Sequence, residues 1–312
     1  MFNFELQTGY RFDELTNIQT AWEFSVVQLG RAEEESSVGL YQTARVAYIK
    51  FRYGAAFDQR LHSRQGILSF GLLDSDNPAT WTYDQLIPND SITVFPNDDD
   101  MKAGSPVGFR GCGMHFSEGF MACLAEQVYH LPLHSLIPTV GIYLPDILRM
   151  SALRTELLKW QQLADFGADT RPDIISRREE SLALAVIDAL YEAGPSKEDQ
   201  ITSSDLRVNR ALEVIHSSEL ENILASELCE YTGCSQRTLE KGFSKRFGVT
   251  PKKYVKCLRL SKVRQGLRDF DAQGCDSIIE LAGIHGFWHM GQFAADYRST
   301  YGELPSETLL RR

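Results

Sequence analysis

Apolar residues recur with helical spacing in the last third of the chain. Leu239, Phe243 and Phe247 fall at every fourth position, so they share one face of a helix whose other face is polar. Ser235 stands where an N-cap is expected, and Gly248 stands where a helix often ends in the left-handed conformation. The pattern predicts a short helix with one buried face and a polar N-terminal half free to contact a partner.

A related pattern appears a second time. Residues 243–251 and 297–305 share an aromatic, three residues, an aromatic, Gly, two residues and Pro. A short amphipathic helix and a Gly-containing turn precede each one, at 224–231 and 277–282, and 254–267 reads as a long connecting helix. The region is predicted to be two helix-turn-helix units joined by one helix, an all-α domain.

The first two thirds of the chain have a different pattern. Between residues 20 and 116 the apolar runs are short, with 44–51 the best strand, and Gly, Pro, Asn and Asp cluster between them. Many short strands with turn residues predict a β-sandwich or small barrel. Residues 1–20 are predicted to be irregular, and helical patterning covers 117–193.

One of these helices carries an apolar seam. Met150, Leu153, Leu157 and Trp160 are spaced three, four and three residues apart, the spacing of the a and d positions of a coiled coil. The seam extends over only about two heptads. It either packs on its own domain or pairs with a second subunit.

A polar segment at 194–199, with Gly and Pro at its start, breaks the helical pattern and marks a domain boundary. The sequence therefore predicts an α+β protein of two domains. Residues 1–193 form a sandwich with following helices, and residues 200–312 form the double helix-turn-helix domain.

Charge is distributed unevenly between the two parts. The chain has a net charge of −10. Residues 1–200 hold 16 Lys and Arg against 28 Asp and Glu, whereas residues 235–268 hold 11 basic residues and one acidic residue. A local basic stripe is the electrostatic signature of phosphate contact, and an acidic remainder discourages nonspecific adsorption.

The C-terminal third resembles the DNA-binding domain of the AraC/XylS family of transcription regulators. The residues that carry the resemblance are Leu228, Ser235, Arg237, Leu239, Phe243, Phe247, Gly248, Pro251, Arg259, Leu260, Ile279, Ala282, Gly286, Phe287, Phe293, Gly302 and Pro305. The resemblance implies a cupin-like N-terminal domain that binds an effector and dimerises, which favours the intersubunit role for the seam. It also implies promoter DNA and RNA polymerase as partners. An activator is one expectation, and the sequence leaves activation and repression open.

The family's base-reading positions fall on the first recognition helix. They are Gln236, Arg237, Glu240 and Lys241, where Arg and Lys suit guanine, Gln suits adenine and Glu can accept from cytosine. Three basic residues, Lys245, Arg246 and Lys252, are predicted to contact phosphates. In the second unit Ala295 stands where relatives commonly carry a basic residue. His289 and Gln292 remain for base edges and Arg298 for phosphate, so this unit is expected to read weakly or through DNA shape.

Two arginines in the N-terminal domain suggest a ligand site. Arg60 and Arg64 resemble the RxxxR motif of PilZ-type receptors for cyclic di-GMP, although the companion motif of those receptors is missing. Guanidinium groups can stack on guanine and fork to phosphate oxygens. A carboxylate for the guanine edge could come from Asp58, Asp74 or Asp98. The alternatives are a small metabolite in a sandwich pocket and a purely structural arginine pair.

No catalytic constellation and no metal-ligand set stands out in the sequence, so no cofactor is expected beyond an allosteric ligand. The rival enzyme hypothesis, a cupin-type enzyme fused to a DNA-binding domain, would need a His and Glu metal set on strands. No apolar run is long enough to span a bilayer, and the N-terminus lacks signal-peptide features. Six cysteines without metal-site spacing are expected to be reduced thiols in the cytoplasm.

Overall fold

The computed structural model describes residues 3–9, 22–82, 85–97, 100–165, 171–196, 203–217 and 225–311. Within these ranges the N-terminal part is built on two antiparallel sheets with helices after them, and the C-terminal part is built on helices. The predicted α+β class, with a sandwich followed by an all-α double helix-turn-helix, is confirmed.

The strands of the N-terminal part are β1 Asn3–Gly9, β2 Trp22–Gln28, β3 Ser36–Gln42, β4 Val46–Arg52, β5 Phe57–Ser63, β6 Ile67–Leu73, β7 Thr80–Thr82, β8 Leu86–Ile87, β9 Ile92–Val94, β10 Asp100–Ser105, β11 Arg110–Ser117, β12 Gly141–Leu144 and β13 Gly194–Pro195. The larger sheet has the order β1-β3-β4-β11-β6-β9-β12-β13, and the smaller has the order β2-β5-β10-β7-β8. All the strand pairs in both sheets are antiparallel.

Strand β4 shows why the alternation in the sequence is incomplete. Val46 and Tyr48 belong to the core shared with the helices, while Ala47 and Ile49 belong to a separate cluster on the opposite face. A strand that is buried on both faces is a continuous apolar run. The prediction that residues 1–20 are irregular is wrong for β1, which pairs with β3 along its whole length.

Three helices come after β11 in the chain and cover one face of the larger sheet. They are α1 Glu118–Leu124, which continues as a π-helical turn at Ala125–Tyr129, α2 Ile147–Asp165 and α3 Pro172–Leu190; a 3-10 turn lies at Leu133–Ser135. Arg45 binds Glu179 of α3 in a salt bridge between the sheet and the helix.

The seam on α2 is internal. Met150, Leu153, Leu157 and Trp160 are all buried in the core that also contains Leu182 of α3. The Trp160 indole Nε1 donates to the carbonyl of Arg178 at 3.3 Å. The assignment of these four residues to a dimer interface is therefore wrong, because α3 of the same chain and the sheet already occupy the apolar face.

The helices of the C-terminal domain are α4 Ser203–Ser217, α5 Ala225–Thr232, α6 Gln236–Phe247, α7 Pro251–Arg268, α8 Ile278–Ile284, α9 Met290–Tyr301 and α10 Pro305–Leu310, with a 3-10 turn at Phe270–Ala272. Helices α5–α6 and α8–α9 form the two helix-turn-helix units. Gly248 and Gly302 end α6 and α9 with φ values of 68° and 76°, which explains the glycine at both places.

Helix α7 joins two separate cores. Its first half contributes Tyr254, Val255 and Leu258 to a cluster with α4, α5 and α6. Its second half contributes Leu260, Val263 and Leu267 to a cluster with α8 and α9. One helix therefore fixes the relative orientation of the two units.

The N-terminal and C-terminal parts are packed together. Leu29 and Ala56 of the sandwich region enter the same apolar cluster as α4, α6 and α7. Gln28 donates to the carbonyl of Thr300 at 3.0 Å. The segment predicted as the boundary begins with β13, which pairs with β12, and residues 197–199 lie outside the described ranges.

All six cysteines are free thiols. Among the described residues, no helix has the length and apolarity needed to cross a bilayer. In the same part of the chain, no group of three or more His, Cys, Asp and Glu side chains is placed to hold a metal ion.

Candidate nucleic-acid interface

Helix α6 presents the predicted reading residues to solvent. The Ser235 hydroxyl accepts from the backbone N–H of Thr238 at 3.3 Å, so the first turn is capped. The side chains of Gln236, Arg237 and Lys241 are exposed. The opposite face is fixed in the core by Phe243 and other apolar residues, so the first two turns of α6 project outward on a rigid support.

Two of the four reading side chains are already paired. The Gln236 amide donates to Glu240 Oε1 at 2.8 Å, and the Glu240 side chain is half-buried. Within the described ranges Arg237 and Lys241 form no salt bridge, and their spacing of four residues places both on one side of the helix. Arg237 and Lys241 are therefore accessible, whereas Gln236 and Glu240 form a hydrogen-bonded pair; the base-reading role of all four remains a prediction.

The prediction that Arg246 contacts phosphate is wrong. Its side chain is only 3% exposed, and Nη1 donates to Asn209 of α4. Its guanidinium also lies 5.7 Å from the ring centre of Trp81 in β7. Arg246 lies on the apolar side of α6, next to Phe247. Successive residues of a helix lie on different sides, so Lys245 is exposed whereas Arg246 faces the sandwich.

Lys245 and Lys252 differ in whether their ammonium groups already contact other side chains. The Lys245 ammonium is 4.5 Å from the Trp81 ring centre and 3.8 Å from Asp205, although the side chain is still largely exposed. Lys252 is exposed in the first turn of α7. Lys252 is therefore directly available to a phosphate, whereas Lys245 must first leave Trp81.

The second unit offers fewer polar groups. His289, Gln292 and Arg298 are exposed at α9. Asp296 on the same helix pairs with Lys256 of α7 at 2.6 Å, which removes one cation from the basic stretch. The expectation of a weaker reader remains a prediction.

Sequence reasoning missed Trp288, which precedes α9. Its side chain is 78% exposed, an unusual state for a tryptophan on a folded surface. An indole at this place can contact a thymine methyl group or a deoxyribose. The signal in the sequence was an aromatic residue at the end of the turn, one position before His289, which is the N-cap of α9 as Ser235 is of α6.

A buried charge network supports the second unit. Arg264 of α7 donates to Glu303 at 2.8 Å and to the hydroxyl of Tyr297 at 3.1 Å, and its guanidinium lies 4.5 Å from the ring centre of Tyr301. Glu303 also accepts from Arg311 at 2.7 Å. Arg264 belongs to the basic stretch by sequence but cannot reach DNA, because it holds α9 and α10 against α7.

The structure separates the two arginines of the predicted nucleotide site. Arg60 is half-buried on β5, at the face that meets the C-terminal domain, while Arg64 is exposed beyond the end of the strand. Four residues of extended chain span about 13 Å. Asp58 is buried and accepts from the hydroxyl of Tyr254 at 2.6 Å, so it does not offer a free carboxylate for guanine; Asp98 lies outside the described residues.

The interior of the sandwich contains a small, mostly apolar cavity of about 90 Å³. Its polar lining includes Gln59, Ser105 and His115, and Gln59 donates to the Ser105 hydroxyl. The ring of His115 is hydrogen-bonded to Ser69 at 2.9 Å, and burial lowers the pKa of His115 to about 3.

His216 of α4 lies where the two domains meet. Its Nε2 is 3.0 Å from the hydroxyl of Tyr254 and 3.7 Å from Asp58. Burial lowers the pKa of His216 to about 3, and the charges of Arg60, Lys102 and Lys262 act in the same direction.

Stability should therefore fall as the pH drops below 6.5, the ordinary histidine pKa. The unfolded chain takes up protons there, whereas the folded chain leaves His115 and His216 neutral until about pH 3. The contribution of the two neutral histidines to stability is fully present above pH 6.5. Below that pH each histidine lowers the free energy of unfolding by about 1.4 kcal/mol per pH unit. Urea unfolding at a series of pH values measures the slope. His216→Gln should lower the slope by that amount, and an unchanged slope would contradict the assignment.

Comparison with known proteins agrees with this geometry. A family model described as a helix-turn-helix domain matches residues 228–311. The XylDLEGF operon transcriptional activator 1 of Pseudomonas putida is 42% identical over 103 residues, which cover 33% of this chain and 31% of that protein. A probable thc operon regulatory protein of Rhodococcus erythropolis is 31% identical over 102 residues, covering 33% and 30%. The chain thus matches about a third of the length of these relatives.

Among solved structures, a transcriptional regulator with an AraC-type DNA-binding domain from Chromobacterium violaceum is 28% identical, with 35% of this chain and 93% of that chain covered and a TM-score of 0.31. ToxT from Vibrio cholerae is 12% identical, with 99% and 98% covered and a TM-score of 0.30. The C-terminal domain of this chain is an AraC-type helix-turn-helix domain, as its motifs indicated.

Proposed function

We propose that this chain is a sequence-specific DNA-binding transcription regulator that reads promoter DNA mainly through α6. The observation that carries the proposal is the exposure of Gln236, Arg237 and Lys241 on a capped helix whose opposite face is fixed in the core. A helix of this kind fits the major groove, where each base pair presents its own pattern of donors and acceptors.

The charge distribution supports the same function. Basic residues are concentrated in 235–268, and the exposed ones, such as Lys252, can displace counterions from the phosphate backbone. The second unit adds His289, Gln292, Arg298 and the indole of Trp288 in the next major groove, about 34 Å away. The first unit therefore reads base edges in one groove, and the second unit recognises the next groove mainly through its shape and through apolar contact.

The names of the relatives favour activation. The Pseudomonas putida protein is named a transcriptional activator, and RhaS from Klebsiella pneumoniae, 25% identical over 146 residues that cover 47% of this chain and 50% of that protein, is named an HTH-type transcriptional activator. We propose double-stranded promoter DNA and RNA polymerase as partners in the cytoplasm, and a regulator rather than a cupin-type enzyme.

Footprinting of the full chain on genomic promoter fragments tests this function. The expected result is protection of an asymmetric half-site of about two helical turns, with affinity that falls steeply as salt rises. The control is the same titration on a scrambled site of equal composition. Equal protection of both sequences would reject sequence-specific reading.

Arg237→Ala should cost about 1–3 kcal/mol of binding free energy and relax specificity at one base pair, because it removes a side chain that reads a base edge. Lys252→Ala should weaken all sequences alike and reduce the salt slope by about 1, because it removes only a phosphate contact. Gln292→Ala should change specificity less than Arg237→Ala. Binding to a library of single-base variants separates these effects, and equal losses from α6 and α9 would contradict the division of roles.

An effector is proposed to gate DNA binding from the N-terminal domain, which we infer to be cupin-like. Cyclic di-GMP at Arg60 and Arg64 is one candidate, supported by the Arg60 Nη2 atom, which is buried and has no hydrogen-bond partner among the described residues. Calorimetric titration of the parent, Arg60→Ala and Arg64→Ala with cyclic di-GMP tests it. Heat that is unaffected by both substitutions, or absent from the parent, would remove this candidate.

A small organic metabolite inside the sandwich is the second candidate. The supporting observation is the cavity of about 90 Å³ with Gln59, Ser105 and His115 as its polar groups. A few polar groups in an apolar cavity are typical of sites for small molecules. The present volume suits only a very small molecule.

A homodimer is still proposed, through different residues of α2. Ile147, Leu148 and Leu158 are exposed large apolar side chains on the surface of this helix, with Val140 and Leu144 exposed in the segment before it. Leu148→Glu should convert a dimer to a monomer in analytical ultracentrifugation, because a charge in an apolar interface lacks solvation. Ser244→Glu, at an exposed position on α6 and therefore outside this face of α2, is a control for the added charge. A parent that sediments as a monomer would reject the dimer.

A further inference from the structure

Two cysteines lie at the turn between α5 and α6. Cys229 is in the last turn of α5, and Cys234 comes directly before Ser235, the N-cap of α6. Both are half-exposed free thiols, and both pack against the apolar cluster of α4, α5, α6 and α7. Neither thiol takes part in the DNA contacts proposed above.

The backbone of this turn holds the two cysteines close together. The N–H of Cys234 donates to the carbonyl of Cys229 at 3.2 Å. The N–H of Gly233, which is left-handed with φ of 64°, donates to the carbonyl of Glu230 at 3.3 Å. These are the two bonds of a Schellman motif, in which the side chains at the positions of Cys229 and Cys234 commonly contact each other. By bond lengths their Cα atoms are at most about 7 Å apart, which is within the limit for a disulfide.

The side-chain contacts agree with this arrangement. The Thr232 hydroxyl donates to the carbonyl of Leu228 at 2.6 Å. Its oxygen lies 3.2 Å from Cys234 Sγ, so the thiol is the donor in this second contact. Burial raises the pKa of Cys229, and Cys234 and Glu240 add to the effect, as neighbouring groups that ionise to anions do. Closure is therefore expected to accelerate as the pH rises.

We propose that Cys229 and Cys234 are an oxidation site that a peroxide closes to a disulfide, and that closure weakens DNA reading by α6. One sulfur attacks a peroxide oxygen, the O–O bond breaks, and a sulfenic acid and water are formed. The other sulfur then attacks the sulfenic sulfur, the S–S bond forms, and the S–O bond breaks with release of a second water. Two thiols and one hydrogen peroxide thus give one disulfide and two waters.

Closure acts on α6 through the position of Cys234. An S–S bond is about 2.05 Å long, whereas non-bonded atoms in contact are roughly 3.5–4 Å apart. Closure therefore draws Cys234 toward α5 and breaks its hydrogen bond to Thr232. The first turn of α6, with Gln236 and Arg237, follows directly in the chain. This consequence rests on the proposed function of α6 in DNA reading.

Peptide mapping of the full chain tests the chemistry. Hydrogen peroxide is added at mildly alkaline pH, the remaining thiols are blocked, and the protein is cut after glutamate, which separates residues 228–230 from residues 231–240. The two fragments should stay joined by a disulfide, and dithiothreitol should release them. Cys275→Ser, which removes a thiol from the second unit, should give the same joined pair, whereas Cys229→Ser should give none. Separate fragments from the oxidised parent, or Cys234 joined only to another segment, would overturn the oxidation site.

Binding to the promoter site compares the oxidised with the reduced parent. Oxidation should weaken binding about tenfold, the loss of one base contact, and dithiothreitol should restore it. The double variant Cys229→Ser with Cys234→Ser controls for oxidation elsewhere and should bind equally before and after peroxide. A joined pair with unchanged affinity, or an equal loss in the double variant, would overturn the effect on α6. Absence of sequence-specific binding by the reduced parent would reject the proposed regulator, while peptide mapping still decides the chemistry.

Discussion

Leu157→Lys is expected to unfold the N-terminal domain rather than to separate two subunits. Leu157 is 5% exposed and packs with Trp160, which is 0% exposed, against α3. A lysine there either buries an ammonium without a partner or forces α2 away from the core. The expected loss is at least about 4 kcal/mol of unfolding free energy, a large part of the stability of a typical domain.

A surface leucine gives a matched control. Leu206 of α4 is 47% exposed and lies outside the α2 face proposed for the dimer, so Leu206→Lys adds the same charge at the surface. Its stability should stay within about 0.5 kcal/mol of the parent. Circular dichroism during urea unfolding measures both variants. A folded Leu157→Lys protein with parental stability would show that the seam is not the core that the structure describes.

Arg264→Met is expected to destabilise the second helix-turn-helix unit by about 3 kcal/mol. The substitution leaves the Glu303 carboxylate buried, with Arg311 and Thr308 among its remaining partners. Removing one member of a buried ion pair costs more than the pair itself contributes, because the other charge stays desolvated. Hydrogen exchange of the α9 amides should accelerate, while α6 keeps its protection because it belongs to a separate core.

The double variant separates charge from packing. Arg264→Met combined with Glu303→Leu should recover most of the lost stability, because apolar side chains of similar volume can replace a buried ion pair. Gln265→Ala, an exposed neighbour on α7, is the control and should be close to neutral. If the double variant is less stable than Arg264→Met alone, the loss arises from packing against Tyr297 and Tyr301 and not from an isolated charge.

The recognition helix was predictable because its signals are local. Four-residue spacing of Leu239, Phe243 and Phe247, a capping serine and a terminal glycine define α6 without any distant contact. Repetition of the four-residue aromatic spacing and of the terminal glycine in α9 made the pair specific. The two sheets were predictable only as a class, since short strands do not encode their partners, and the strand pairs join residues far apart in the chain.

The tertiary structure decided what each exposed or apolar face meets. Arg246 and Arg264 cannot be told from Lys252 by sequence. In the structure Arg246 is buried beside Trp81 and Arg264 is buried against Glu303, whereas Lys252 is exposed to solvent. The apolar seam of α2 had two possible partners, and α3 of the same chain took it.

The sequence by itself determined the double helix-turn-helix, the exposed polar face of α6 and the sandwich class, because periodicity, caps and turns act within a few residues. Only the tertiary structure placed Arg60 opposite Lys102 and Asp58 beside His216, since these residues come from different strands and from another domain. Burial and charge balance depend on every neighbour in space, and neighbours in space are set by the packing of the whole chain.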